Sequence, residues 1–328
     1  ADMLIKGGNA YGMKYGDTLS DDAFGGYEFD YVISNPPFGI DWKREKSQVE
    51  AEAKRGYDGR FGPGLPAISD GQMLFMLNGV KKLKEGSGRM AIIQNGSSLF
   101  TGDAGSGASE IRRYLIHEDL VEAIVQLPTD LFYNTGISTY IWVLTKGKPM
   151  SRSGRVQLID ASKCFVKRRK NIGSKRVDLD DACIDLILKA YEGFDQNEVY
   201  TADDLVVESK VFKNDFFGFT KVTVETAQTD ANGKPLLKKG KKLPVKGASD
   251  SEIIPLSDDI DAYMAKNVLP YNPLAYIDPA KDKIGYEIPF TRLFYNFEAP
   301  EPSASIFEDI KALEAKETVL MKELFGNA

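Results

Sequence analysis

The chain has 328 residues, of which 42% are hydrophobic and 11% aromatic, so it can bury a sizeable core as one large domain with a second segment attached. Its formal charge of −6 neither favours nor excludes a nucleic-acid partner, because local basic patches rather than total charge determine phosphate binding. No apolar run is long enough to cross a bilayer, and two cysteines with one histidine exclude a disulfide framework and a zinc cluster. These features predict a cytoplasmic protein without a metal or a membrane partner.

The first candidate site residue is Asp17. Residues 13–15 are predicted to form a strand that leads into Gly16 and Asp17, so that Asp17 lies at the carboxyl end of a strand. Ligands bind at those ends in open α/β sheets. The Asp17 carboxylate would then accept a hydrogen bond from an amino group of a cofactor; capping a short helix is the alternative.

The most informative stretch is the short apolar run 29–33, which ends in Ser34-Asn35-Pro36-Pro37-Phe38-Gly39. The run is too short for a helix and is β-branched at its end, so it predicts a buried strand. The two prolines fix φ at their own positions and restrict the residues before them, so the backbone carbonyls point in nearly fixed directions. The loop therefore offers acceptors, including the Asn35 amide oxygen, beside the aromatic ring of Phe38.

This arrangement suits methylation of an exocyclic amine whose lone pair is delocalised into a ring. The Asn35 side-chain oxygen and the Pro36 carbonyl would hold the two amine hydrogens and favour the pyramidal nitrogen that develops during attack. Phe38 would stack on the flipped-out base, a contact worth about 1–3 kcal/mol. An ordinary Asn-Pro turn with a buried phenylalanine is the alternative.

The next segments alternate between helix and strand. Ser69 and Gln72 form a possible capping box that opens a helix over residues 69–85. A strand over 89–94 follows, and the loop from Asn95 leaves it on the ligand side of the sheet. A helix over 109–117 and strands over 122–127, 138–145 and 154–161 complete a partial doubly wound, Rossmann-like α/β sheet over residues 1–161. Phe132 and Tyr133, between two of these strands, are candidates for a second wall of the base pocket, with core packing as the alternative.

Residues 162–328 are predicted to form an α-rich C-terminal extension. It begins with a basic segment whose charges are candidates for contact with DNA phosphates, or else form a solvated face: Lys167, Arg168, Arg169, Lys170, Lys175 and Arg176. A helix over 179–191, a second basic tract over 234–246 and a terminal helix over 303–325 follow. The apolar spacing of the terminal helix suits packing on this domain or on a partner helix.

Several runs together resemble the methylation subunit of type I restriction-modification systems, an adenine-N6 DNA methyltransferase. These runs are Asn-Pro-Pro-Phe-Gly at 35–39, Arg-Phe-Gly-Pro-Gly at 60–64, Leu99-Phe100 with the glycine loop to Arg113, and residues 131–137. The resemblance implies that Asn35, Pro36, Pro37 and Phe38 hold the target adenine. It also implies that Asp17 and Asn35 contact S-adenosylmethionine, and that the partners are DNA, a specificity subunit, a restriction subunit and a second copy of the chain.

In that family the glycine loop that cradles the cofactor precedes the position of Asp17. The glycines from Gly102 to Gly107 do not directly follow a strand, and no acid ends the next one, so they are predicted to form a flexible loop. We therefore expect a C-terminal fragment that carries the target-base half of the site and is inactive alone. Two other functions stay open: methylation of an amide or of RNA by the same loop, and a non-catalytic assembly scaffold.

Overall fold

The structure, a computed structural model, describes residues 2–297 and 299–326. The chain divides into two compact units, residues 1–290 and residues 291–328. Within the described residues, no helix is both long enough and apolar enough to cross a membrane.

The secondary structure of the described residues alternates between helix and strand through the first half of the chain. The helices are α1 (Asp2–Ile5), α2 (Lys46–Ala53), α3 (Gln72–Lys81), α4 (Ser97–Phe100), α5 (Gly107–His117), α6 (Asp181–Gly193), α7 (Ile260–Asn267), α8 (Phe290–Leu293) and α9 (Ser303–Phe325). The strands are β1 (Tyr31–Ser34), β2 (Arg89–Asn95), β3 (Val121–Gln126), β4 (Thr139–Thr145), β5 (Arg155–Asp160), β6 (Val166–Ile172), β7 (Lys175–Asp178), β8 (Asn197–Ala202), β9 (Leu205–Lys213), β10 (Gly218–Thr226), β11 (Leu237–Lys238), β12 (Lys241–Lys242), β13 (Asp250–Pro255), β14 (Ala275–Ile277) and β15 (Lys283–Tyr286).

The largest sheet is mixed and has the strand order β1-β2-β4-β3-β5-β9-β8. The pairs β1–β2 and β3–β5 are parallel, whereas β4 runs antiparallel to both of its neighbours. The predicted α/β architecture is confirmed. Because β1 and β2 are parallel neighbours, the loops that leave them emerge at the same edge of the sheet.

The core of this sheet follows from the sequence pattern. Side chains of β2 alternate between buried and half-buried, and β3 is buried along nearly its whole length. These apolar side chains of α3 are buried, and so is Leu83 just after the helix: Met73, Leu74, Met76, Leu77 and Val80.

The predicted start of α3 is wrong. The helix begins at Gln72 after Gly71, and Ser69 does not cap it. The Gln72 side chain cannot complete a capping box, because it is hydrogen-bonded to Asp70, Asn95 and Ser97 instead.

The region after residue 161 contains the predicted helices, but it also adds strands to the first sheet and forms a second sheet. β8 and β9 extend the first sheet beyond β5. Along β9, Val207 and Ser209 are fully buried, and Val207 packs with Cys183 and Leu186 of α6. The sheet therefore continues past residue 161, and a functional boundary at that point stays a prediction.

A second, antiparallel sheet forms around β10, which pairs with β13, β14 and β15. Val222, Ile254 and Met264 form its own apolar cluster. The second compact unit contains the predicted terminal helix, α9, whose apolar side chains are exposed within that unit.

Candidate active site

The loop of residues 35–39 leaves the carboxyl end of β1, as predicted. The predicted burial of this strand is wrong, because β1 is the edge strand of the sheet and Tyr31 and Ile33 are exposed. Asn35 and Pro37 are exposed, Phe38 is half-buried and Pro36 is buried. The Asn35 side chain makes no hydrogen bond to any other residue that the structure describes. Its amide oxygen is therefore available to a ligand, as the acceptor hypothesis requires.

A cleft of about 740 Å³ opens in front of this loop. It is lined by residues 35–39, by Asn95 at the end of β2, and by Phe132, Tyr133, Asn134, Thr135 and Ile137. The cleft falls within the roughly 300–1,000 Å³ typical of small-ligand sites. The structure thus brings together the loop and the two aromatic residues that the sequence suggested as a second wall.

The lining of the cleft is polar but almost without ionisable groups. Tyr133 is the single titratable side chain among the described residues that line the cleft. The walls therefore offer amides, backbone carbonyls and aromatic faces rather than a strong base. This composition suits recognition of a flat, neutral, nitrogen-containing ring.

The basic hairpin formed by β6 and β7 lies against the wall of the cleft. The backbone N–H of Ser174 donates to the Tyr133 carbonyl at 2.9 Å, and the Lys175 Nζ lies 5.3 Å from the centre of the Tyr133 ring. Gly173, in a left-handed conformation with φ of +60°, approaches so closely that a Cβ there would lie 2.5 Å from the same carbonyl. This contact places the predicted phosphate-contacting segment beside the candidate base pocket.

The predicted environment of Asp17 is wrong. Residues 13–15 form no strand, and Asp17 lies on an exposed turn. Its carboxylate accepts hydrogen bonds from the Leu19 N–H at 2.9 Å and from the Ser20 hydroxyl at 3.0 Å. Asp17 therefore neither ends a strand nor caps a helix but closes a local turn, because an aspartate two residues before a free N–H satisfies it at little cost in entropy.

Gly107, the last glycine of the loop from Gly102, serves packing. A Cβ on Gly107 would lie 1.8 Å from the Leu65 carbonyl oxygen, and one on Gly64 would lie 2.5 Å from the Gly107 carbonyl oxygen. Ser106 caps α5 by accepting from the Ser109 N–H. None of these residues lines the cleft.

Arg60, in the motif Arg-Phe-Gly-Pro-Gly, also has a structural role. Its guanidinium pairs with Glu52 at 2.6 Å and donates to the Thr18 and Leu19 carbonyls. Arg60 is only 9% exposed, so it is not a phosphate ligand in this arrangement.

Both cysteines are buried in the core between the first sheet and α6. Burial raises the pKa of the Cys164 thiol to about 12, so the thiol is protonated at neutral pH. A buried, protonated thiol is unreactive, so Cys164 contributes to packing.

Sequence reasoning misses two residues of the site. It places Asn95 only in a loop on the ligand side, and Gln72 only in a helix cap. In the structure their side chains join across the end of β2, where Gln72 is 1% exposed. Asn95 could have been found from its position at the carboxyl end of the strand next to β1. No local pattern in the sequence points to Gln72.

The N-6 DNA methylase family model matches residues 1–232. The chain belongs to the N-6 DNA methylase family. The match covers the first sheet, the cleft and the basic hairpin, so the family membership agrees with the geometry of the loop at residues 35–39. The resemblance drawn from the sequence motifs is confirmed.

Two type I restriction enzyme methylase subunits are similar to this chain over part of their length. The chain is 29% identical over 215 residues to the type I restriction enzyme MjaVII methylase subunit of Methanocaldococcus jannaschii, covering 63% of this chain and 34% of that one. It is 27% identical over 245 residues to the HindI methylase subunit of Haemophilus influenzae, covering 74% and 51%. The chain therefore spans between about a third and a half of the length of these relatives.

A solved structure shows the same partial match. The type I restriction-modification system methyltransferase subunit from Streptococcus thermophilus superposes with a TM-score of 0.53 at 28% identity. The superposition covers 65% of this chain and 41% of that one. The N-6 methylase chain thus has the fold of part of such a subunit.

Proposed function

We propose that this chain forms the target-base side of an adenine-N6 DNA methylation site. The observation that carries the proposal is the Asn35 amide, exposed and without a partner among the described residues, in a cleft that Phe38, Phe132 and Tyr133 also line. S-adenosylmethionine, the cofactor that the family implies, supplies the methyl group when bound. The proposed partners are DNA, a specificity subunit, a restriction subunit and a second copy of the chain, and the proposed compartment is the cytoplasm.

The chain's own residues would act by holding the amine. The Asn35 oxygen and the Pro36 carbonyl accept the two N6 hydrogens, which draws the nitrogen lone pair out of conjugation with the ring. Phe38 stacks on the base face and keeps the base out of the helix. No strong base is required, because the methylated nitrogen becomes positively charged and its proton then passes readily to water.

The described residues fit the target base better than they fit the cofactor. Asp17 is occupied by its own turn, and neither Asp17 nor the glycines from Gly102 to Gly107 line the cleft. No part of the mechanism is therefore assigned to these residues. Asn35, which the family resemblance places near the cofactor, is the one candidate cofactor contact that lies in the cleft.

Isothermal calorimetry with S-adenosylmethionine tests this division of the site. We expect the 328-residue chain alone to show no binding in the micromolar range, because neither Asp17 nor the glycines from Gly102 to Gly107 line the cleft. The reference measurement uses the MjaVII methylase subunit, of which the aligned segment covers 34%. Micromolar binding by this chain would contradict the assignment and return Asp17 to the cofactor site.

Substrate preference tests the function itself. In the complete enzyme, we expect labelled methyl groups to pass from S-adenosylmethionine to unmodified DNA and to appear as N6-methyladenine after digestion. Ribosomal RNA and protein amide substrates, incubated in parallel, should remain unlabelled. Labelling of either one in preference to DNA would replace the proposal with the amide or RNA alternative, and labelling of nothing would favour the scaffold.

Contact with DNA phosphates is proposed for part of the basic hairpin. Arg168 and Lys175 both pair with Asp178, and the hydrogen bond from Lys175 lowers the pKa of that carboxyl group. The other four charges are exposed and have no acidic partner among the described residues: Lys167, Arg169, Lys170 and Arg176. These four are the better phosphate ligands, because their charge is not already neutralised.

Salt dependence measures this interaction. Replacing the four unpaired bases by glutamine should lower DNA affinity and reduce the slope of log K against log salt concentration by about 0.9 for each phosphate that the variant no longer binds. The matched control replaces four exposed lysines of the β11–β12 hairpin: Lys238, Lys239, Lys241 and Lys242. Equal slopes for the two quadruple variants would remove the basic hairpin from the DNA interface.

A further inference from the structure

Asn95 is the second amide in the cleft. It ends β2, the parallel neighbour of β1, and the register pairs Ser34 with Ile92. Asn35 and Asn95 therefore leave adjacent strand ends at the same edge of the sheet, and both line the cleft. Whether Asn95 can accept from a ligand or donate to it depends on which end of its amide faces the cleft.

Two backbone N–H groups fix that orientation. The Ser97 N–H lies 2.9 Å from one terminal atom of the Asn95 side chain, and a backbone N–H can only donate, so this atom is the oxygen. In the same way, the Asn95 N–H lies 3.0 Å from one terminal atom of Gln72, which must also be an oxygen. Neither amide can be flipped without placing two donors against each other.

Gln72 then completes the arrangement. Its Nε2 donates to the Asn95 Oδ1 at 2.7 Å and to the Asp70 Oδ2 at 2.7 Å. The Asn95 oxygen is thus satisfied from inside the protein. The Asn95 Nδ2 finds no acceptor among the described residues, and it is not one of the buried polar atoms left without a partner. Its two hydrogens are consequently available on the open side, where the residue lines the cleft.

We infer that the Asn95 Nδ2 donates a hydrogen bond to a ring nitrogen of the flipped base, next to the amine that Asn35 holds. This inference rests on the proposed function. In adenine, N1 is bonded to the carbon that carries the amine, and N7 lies on the other side of the amine, one ring atom further away; both are acceptors. The Asn35 oxygen would accept from the amine, and the Asn95 Nδ2 would donate to the ring nitrogen beside it, whether that nitrogen is N1 or N7. Gln72 is the positioning residue, since it acts only through Asn95.

The test uses the complete enzyme and DNA in which the target adenine is replaced by 1-deazaadenine or by 7-deazaadenine. For the wild-type protein, removal of the contacted nitrogen should lower kcat/KM about 10- to 100-fold, because the Asn95 donor is then left without a partner. The other analogue should be methylated at nearly the normal rate, which tells N1 from N7.

Two Asn95 variants complete a cycle with the analogues. Asn95→Ala and the isosteric Asn95→Asp should both be slow on adenine and show no further loss on the critical analogue. Because the altered base pair is the same for every protein, the ratio of wild type to variant isolates the contact. Gln72→Met should reduce the discrimination without abolishing it. A residue with only a structural role would slow all substrates by the same factor.

Three results would overturn the inference. In the first, the wild type methylates both analogues as fast as adenine. In the second, the loss of rate on the analogue persists in both Asn95 variants. In the third, the variants would change only the KM for S-adenosylmethionine and keep the discrimination, which would assign Asn95 to the cofactor. Failure of the wild type to methylate ordinary adenine would instead refute the proposed function, and the inference would fall with it.

Discussion

In the complete enzyme, Asn35→Ala is expected to lower the rate of methyl transfer at least about 10²- to 10³-fold, the effect typical of removing one preorganised group from a transition-state site. The amide oxygen is exposed in the cleft and has no other partner among the described residues, so its removal deletes a substrate contact and little else. Single-turnover transfer of labelled methyl groups to DNA measures the effect.

Asn232→Ala is the matched control. Asn232 lies on an exposed turn of the second sheet's long loop, and its side chain makes no hydrogen bond with the described residues. Transfer should therefore stay at the wild-type rate. If Asn35→Ala also keeps that rate while DNA binding is unchanged, the catalytic role assigned to the loop at residues 35–39 is wrong.

Arg112→Met is expected to have the largest effect on stability, about 3–5 kcal/mol in the free energy of unfolding. Arg112 is fully buried, and its guanidinium donates to the carbonyls of Tyr286, Ser98 and Thr101 at 2.6, 3.2 and 3.0 Å. Burial lowers its pKa to about 10, so it remains charged at neutral pH. The substitution removes the donor from two buried carbonyls and one partly buried carbonyl, between α4 and β15.

Arg113→Met provides the control at the adjacent position. Arg113 makes a long, partly exposed ion pair with Glu110 at 3.4 Å, so its loss should change stability by at most about 1 kcal/mol. Urea unfolding followed by circular dichroism compares the two variants at the same pH. A cost below about 1 kcal/mol for Arg112→Met would show that the three carbonyls find other donors.

Prediction from the sequence succeeds where short-range patterns decide the structure. The helix α3 and the strands β2 to β5 follow from the apolar runs of the sequence, and their observed bounds lie within a few residues of the predicted ones. It fails where a polar side chain has two possible partners. Asp17 bonds to its own turn rather than lying at a strand end, and Gln72 reaches Asn95 rather than capping its helix.

By itself, the sequence determined the stiff loop at residues 35–39, because successive prolines restrict the backbone wherever the chain lies. It also determined the basic character of the hairpin. Only the tertiary structure decided that Phe132 and Tyr133 face this loop, which of the six hairpin bases are neutralised by Asp178, and which end of the Asn95 amide is free. The physical reason is that proline restricts the backbone locally. The residues that line a cleft together, or that hydrogen-bond to a buried amide, are distant in the chain, and no local pattern specifies which of them meet.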